Sequence, residues 1–108
     1  MIRGTILIGR APGDFTSKAR PYVVVQSQIA SEIVRTLTVC PITTAVIGVG
    51  RVRVPIAPSS TNGLDHASEI EVDRITTMRR ERFDPPIGAA AGEVMNLVDA
   101  SLRRWLDL

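Results

Sequence analysis

A chain of 108 residues has room for one domain with a modest core, and 44% hydrophobic against 22% charged residues excludes a disordered chain. No run approaches the roughly 18–20 apolar residues of a membrane span, and the apolar start, Ile2 to Ile8, is too short for a secretion signal, so a soluble cytoplasmic protein is the expectation. The net charge of +2 hides an uneven split: residues 1–56 carry seven Lys/Arg against Asp14 and Glu32, and residues 57–108 carry six Arg against nine acids. The first half therefore offers a cationic surface to an anionic polymer.

In chain order, Ile2 to Ile8 reads as a first strand. Residues 10–19 (Arg-Ala-Pro-Gly-Asp-Phe-Thr-Ser-Lys-Ala) are rich in turn formers and read as a loop. Pro21 is tolerated at a strand start, where one missing N–H is harmless, and Tyr22 to Gln26 is the strand proper. Ile29 to Ile33 predicts one helical turn over the sheet. Arg35 to Ile42 and Val49 to Ile56 alternate polar and apolar residues; in the second, Arg51 and Arg53 share a wet face. Pro58 to Gly63 is a turn cluster, with Asn62-Gly63 suited to positive φ. Ser68 to Val72 and Ile75 to Met78 predict short strands, and Pro85-Pro86 predicts a break. Val94, Leu97, Val98, Leu102 and Trp105 recur at helical spacing and predict an amphipathic helix over 91–106, with Trp105 as its core anchor and no side-chain N-cap. Together these elements make one domain over residues 1–108, an α+β, β-rich fold: a strongly bent antiparallel sheet or partial barrel closed by a C-terminal helix.

The chemistry-bearing residues are few. Cys40 is the single cysteine, which excludes an internal disulfide and a cysteine metal cage; within Leu-Thr-Val-Cys-Pro-Ile it reads as a buried apolar residue. His66 is the single histidine, so two histidines within one subunit cannot share acid–base work; it reads as exposed or structural. Asp65, Glu69, Glu71 and Asp73 form a loose acidic run, but strand alternation splits them between faces and no metal or other cofactor is expected. Arg20 before Pro21, and Thr43 after Pro41-Ile42, stand at the mouths of two strands. A cation and a hydroxyl meeting at a sheet edge can build a phosphodiester site. Arg79-Arg80-Glu81-Arg82 reads as a solvated turn.

Several pieces carry a resemblance: Arg3-Gly4, Pro12-Gly13-Asp14-Phe15, Lys18-Ala19-Arg20-Pro21, Val23-Val24-Val25-Gln26, Pro41-Ile42-Thr43-Thr44, and Pro58 to Leu64 followed by Ser68 to Asp73. In this order and spacing the chain resembles the MazF/PemK family of toxin ribonucleases from type II toxin–antitoxin modules, over nearly its full length. Three places depart from the family pattern. Thr5 stands where an acid is usual, the first loop is short and lacks the Gly-Ser-Glu-Gln wording, and Thr76 replaces a basic residue.

The resemblance implies an SH3-like barrel with a helical lid, a homodimer, and metal-independent, sequence-selective cleavage of single-stranded RNA. It also implies neutralisation by a cognate antitoxin. It places the catalytic pair on Arg20 and Thr43 and the substrate-gripping loop on Asp14 to Ala19. RNA contacts are then expected at Asp14, Phe15, Thr16, Ser17, Lys18, Gln26, Thr44, Arg51, Arg53 and Arg74. Arginine releases a proton only above pH 12 or so, which suits Arg20 to clamping the phosphorane and leaves the proton acceptor unassigned. Two other readings stand beside this one: a CcdB-like DNA gyrase poison, for which the near-terminal Trp105 speaks, and a decayed toxin that only binds its antitoxin.

Overall fold

The computed structural model describes residues 1–12, 18–48 and 50–108. Among these residues seven strands form one antiparallel sheet: β1 (Thr5–Gly9), β2 (Arg20–Val24), β3 (Thr36–Thr43), β4 (Arg53–Ile56), β5 (Ser68–Glu71), β6 (Thr76–Arg79) and β7 (Phe83–Ala89). Two helices accompany it, α1 (Gln28–Ile33) and α2 (Gly92–Leu106). Among the described residues no helix is long and apolar enough to cross a membrane.

The sheet runs β4-β5-β3-β2-β1-β7, with β6 also paired to β3. β3 is the axis. Its first half, Thr36 to Val39, pairs with β6, and its end, Ile42 and Thr43, pairs with β5. β5 and β6 are consecutive, joined by a 3-10 turn at Val72–Arg74, so one return segment breaks where β3 carries Cys40-Pro41. That break bends the sheet. The path ends at β4 and β7, which do not pair, so the expected barrel is left open.

Alternation along the strands makes two apolar layers. Ile6, Val23, Cys40, Ile42, Val54, Ile56, Ile70 and Val72 face α2, which adds Met95 and Val98. On the other face Leu7, Tyr22, Val24, Leu37, Val39 and Met78 form a second cluster, with Phe83 packed edge-on to Tyr22 at 5.7 Å between ring centroids. Cys40 lies in the first layer, and burial pushes its thiol pKa up to about 12. A thiol so placed is neither nucleophilic nor reachable. The native protein is therefore expected to resist a thiol reagent at pH 8 and to react only when unfolded; rapid labelling of folded protein would contradict this packing.

Several expectations from the sequence are corrected. Pro85-Pro86 does not break the chain; both residues lie within β7, with Pro86 in register with Leu7. β7 is an edge strand paired only to β1, with register shifts on either side of Leu7, and a missing N–H is tolerated there. β4 is shorter than expected, and Arg51 lies in the turn before it instead of on its face; Val49 lies outside the described residues. α1 is there, capped by the Ser27 hydroxyl accepting from the Ala30 N–H, but its Ile29 and Ile33 point to solvent and only Ser31 is buried. In α2, Ala91 provides no side-chain cap, as expected. Leu97 (54% exposed) and Trp105 (49%) are not core anchors, however. Trp105 is two turns beyond Val98 on the same face, but there the helix has reached the rim of the core.

Candidate active site

β2 and β3 pair Tyr22 with Pro41, Val23 with Cys40 and Val24 with Val39. Continuing that register to the start of β2 sets Arg20 opposite Thr43, the last residue of β3. On the other side Thr43 pairs with Glu69, and β4 pairs Arg53 with Glu71 and Pro55 with Glu69. A period of two residues then gathers Arg20, Thr43, Glu69, Glu71 and Arg53 on one face. The residues between them on three of these strands, Ile42, Ile70 and Val54, point into the layer under α2.

The face is organised by buried carboxylates. Glu71 has a side chain only 5% exposed and meets three guanidinium groups: Arg20 Nη1 at 3.4 Å from Oε1, and Arg53 Nη2 at 3.3 Å and Arg74 Nε at 3.4 Å from Oε2. Arg53 also forks onto Asp73, with Nε donating to Oδ1 at 3.1 Å and Nη2 to Oδ2 at 3.3 Å. That fork holds the Asp73 carboxyl below, and the Arg53 guanidinium above, their ordinary pKa values, against the opposing effect of burial. Glu69 serves backbone instead: Oε1 accepts from the Ile47 N–H at 2.9 Å and Oε2 from the Gly48 N–H at 3.1 Å, fixing the loop after Thr43. Burying these acids without partners would cost several kcal/mol each, so the pairing is obligatory.

Three arginines ion-pair with Glu71 and Asp73, and Glu69 on the same face brings the formal charge of the site to zero. Arg20 is accessible, with 41% of its side chain exposed against 12% for Arg53; Arg74, at 64%, is the more exposed but lies beyond the end of β5, away from Thr43. Beside it, the Thr43 Oγ1 accepts from the Ala45 N–H at 3.1 Å, which leaves the hydroxyl proton free to donate outward. Tyr22, the next residue on the Arg20 face, has its phenol pKa raised chiefly by burial, with Arg20 opposing and Glu71 reinforcing. A guanidinium fork and a hydroxyl donor across one strand pair suit a tetrahedral or pentavalent phosphorus with charged oxygens.

Residues 3–106 match the family of PemK-like, MazF-like toxins of type II toxin–antitoxin systems. The chain belongs to that family. It is similar to a probable endoribonuclease MazF of Mycolicibacterium smegmatis, 30% identical over 108 residues, spanning 100% of this chain and 98% of that one. Its fold is similar to that of the Mycobacterium tuberculosis toxin MazF-mt6, with a TM-score of 0.82, 25% identity and coverage of 96% of this chain and 97% of that one. A mycobacterial endoribonuclease solved with its cognate antitoxin has the same fold at a TM-score of 0.83 and 19% identity, over 100% and 96% of the two chains.

The site residues expected from the toxin's sequence distribute unevenly. Arg20 and Thr43 are brought together, and Arg53 and Arg74 join them through Glu71. Gln26 lies past the far end of β2 with its amide committed: Nε2 donates to Ser31 Oγ and the Thr36 carbonyl, and Oε1 accepts from the Thr38 N–H. Arg51 is held through its carbonyl, which accepts from Arg104 Nε at 2.9 Å, and its side chain stays exposed. Lys18 is exposed just before β2. Asp14, Phe15, Thr16 and Ser17 lie outside the described residues. Thr44 lines a cavity of about 200 Å³ with Ile8, Pro21, Leu64 and the exposed His66.

The cationic surface expected of the first half is reduced, because the acids of the second half fold back onto Arg20 and Arg53. The acidic run is not split between faces either: Glu69 and Glu71 share one, and each carboxylate of the trio with Asp73 already has its own donors. Glu71, which in the sequence is one acid of a loose run, is the residue that ties Arg20, Arg53 and Arg74 together. Its signal is the alternation Glu-Ile-Glu within β5, facing Arg-Val-Pro on β4.

Proposed function

We propose that this toxin is a metal-independent endoribonuclease that cleaves single-stranded RNA at selected sequences, acts as a homodimer in the cytoplasm, and is neutralised by a cognate antitoxin. The observation that carries the reading is the register that sets Arg20 opposite Thr43 on one face, with the Arg20 guanidinium accessible there. The names of its relatives support ribonuclease over gyrase poison, and the mycobacterial toxin solved with its antitoxin supports the partner.

In this chemistry the ribose 2′-oxygen attacks the adjacent phosphorus, its proton passes to an acceptor, and the bond to the 5′-oxygen breaks as that oxygen is protonated. Arg20 holds two phosphate oxygens as charge builds on the phosphorane, and the Thr43 hydroxyl donates to one of them. The products are a 2′,3′-cyclic phosphate and a 5′-hydroxyl.

Purified toxin incubated with single-stranded RNA in excess EDTA is expected to cut at a small set of sequences, leaving those ends. Sequencing of 5′-hydroxyl ends reads both the activity and its motif. Cleavage that stops with EDTA, or products with a 3′-hydroxyl and 5′-phosphate, would rule the mechanism out.

A further inference from the structure

We infer that Glu71 is the positioning residue of the Arg20 clamp, a role that rests on the ribonuclease reading above. Arg20 and Glu71 are not on neighbouring strands; β3 lies between β2 and β5, so the arginine side chain crosses β3 to reach the carboxylate. Glu71 is held independently of Arg20. Arg53 and Arg74 hold Oε2, and Arg53 is itself anchored on Asp73, which turns Oε1 toward Arg20 Nη1. The contact engages Nη1, and Nε and Nη2 of Arg20 take no partner among the described residues, leaving most of the fork for phosphate.

Stability alone gives a weak reason for this contact. The buried carboxylate is already paired by Arg53, and an ion pair to a half-exposed arginine adds little. Its geometric effect is larger: a long side chain with several rotatable bonds is held in one direction on the face that carries Thr43. Misplacement of a catalytic group by about 1 Å costs on the order of 100-fold in rate. Glu71 does not itself reach substrate, being 5% exposed with both oxygens engaged. It orients the group that does.

The test is steady-state cleavage of one RNA by the wild type, Glu71→Gln, Arg20→Lys and the double variant, alongside thermal melts. Glu71→Gln is expected to lower kcat on the order of 10- to 100-fold with KM changed far less. In the Arg20→Lys background the same change is expected to cost at most about 2-fold, because the orientation it supplies is already lost. An equal loss of kcat in both backgrounds, or a lower Tm with kcat intact, overturns the inference. Glu71→Asp, which keeps the charge but shortens the reach, covers the case in which Glu71→Gln fails to fold: kcat is expected to fall with the fold retained, and unchanged kcat counts against positioning. A wild type that cuts no RNA refutes the ribonuclease reading instead, which keeps the two failures apart.

Discussion

Arg20→Ala is expected to lower kcat for RNA cleavage about 100- to 1000-fold, the usual effect of removing one charge-stabilising donor from a transition state. The fold is expected to survive. Arg20 is exposed over 41% of its side chain, and Glu71 keeps Arg53 and Arg74 when it is gone, so the change in stability should stay within about 1 kcal/mol. Arg20→Lys keeps the charge but not the two-pronged geometry and should fall between alanine and the wild type. Thr43→Ala removes one neutral donor and should cost less than Arg20→Ala. Circular dichroism and melting curves beside the kinetics separate the two effects. If Arg20→Ala retains wild-type kcat with native stability, phosphate clamping by this residue is wrong, whatever the family does.

Gly63→Ala is expected to cause the largest loss of stability from a single methyl group. Gly63 has φ +73°, and a Cβ there would stand 2.5 Å from the Ile87 carbonyl oxygen and 3.0 Å from its carbon. The left-handed backbone costs an L-residue about 1–2 kcal/mol, and forcing a rigid backbone apart costs about 1–3 kcal/mol more. In a domain of this size each kcal/mol lowers Tm by about 4–8 °C, so a drop on the order of 10 °C or more should appear in a melt. The obstacle is reciprocal, since a Cβ on Gly88 would meet the backbone of Thr61 and Asn62 at 2.5 Å. The turn at 57–64 therefore lies directly on β7. It is held by Asn62, whose amide donates to the Ala57 carbonyl and accepts from the Ser59 and Leu64 N–H groups. A melt of Gly63→Ala that matches the wild type would show that this crossing relaxes freely.

Most of the sheet was legible because its signals are local. Alternation marks β3, β5 and β6, a β-branched run marks β2, and spacing of three and four marks α2. β7 was illegible for the opposite reason. Pro85-Pro86 forbids strand only where both edges must be paired, and nothing in the local sequence says that this strand sits at the margin with β1 alone beside it. Trp105 fits the helical stripe, but periodicity gives an angle about the helix axis and not where the core ends.

The site divided along similar lines. Arg20 and Thr43 stood out as strand mouths and through the family resemblance, whereas Glu71 depends on which strands become neighbours across β3. Gln26 matched the family wording, yet its amide ties β3 to α1, a use visible only once both elements have folded around it.

The open sheet also orders events during synthesis. β2, β3, β4 and β5, with every residue of the arginine–carboxylate cluster through Arg74, are made before β7 and α2. β1 pairs with β2 early but waits for Phe83 to Ala89, near the end of the chain, to cover its other side. The layer around Ile6, Val23 and Ile70 likewise waits for Met95 and Val98. A nascent or truncated chain ending before β7 thus carries every group of the candidate site on a sheet with a bare edge and an unroofed core. Such a chain is prone to aggregate before it can act. The last quarter of the molecule, which supplies no catalytic group, decides when the rest becomes a toxin.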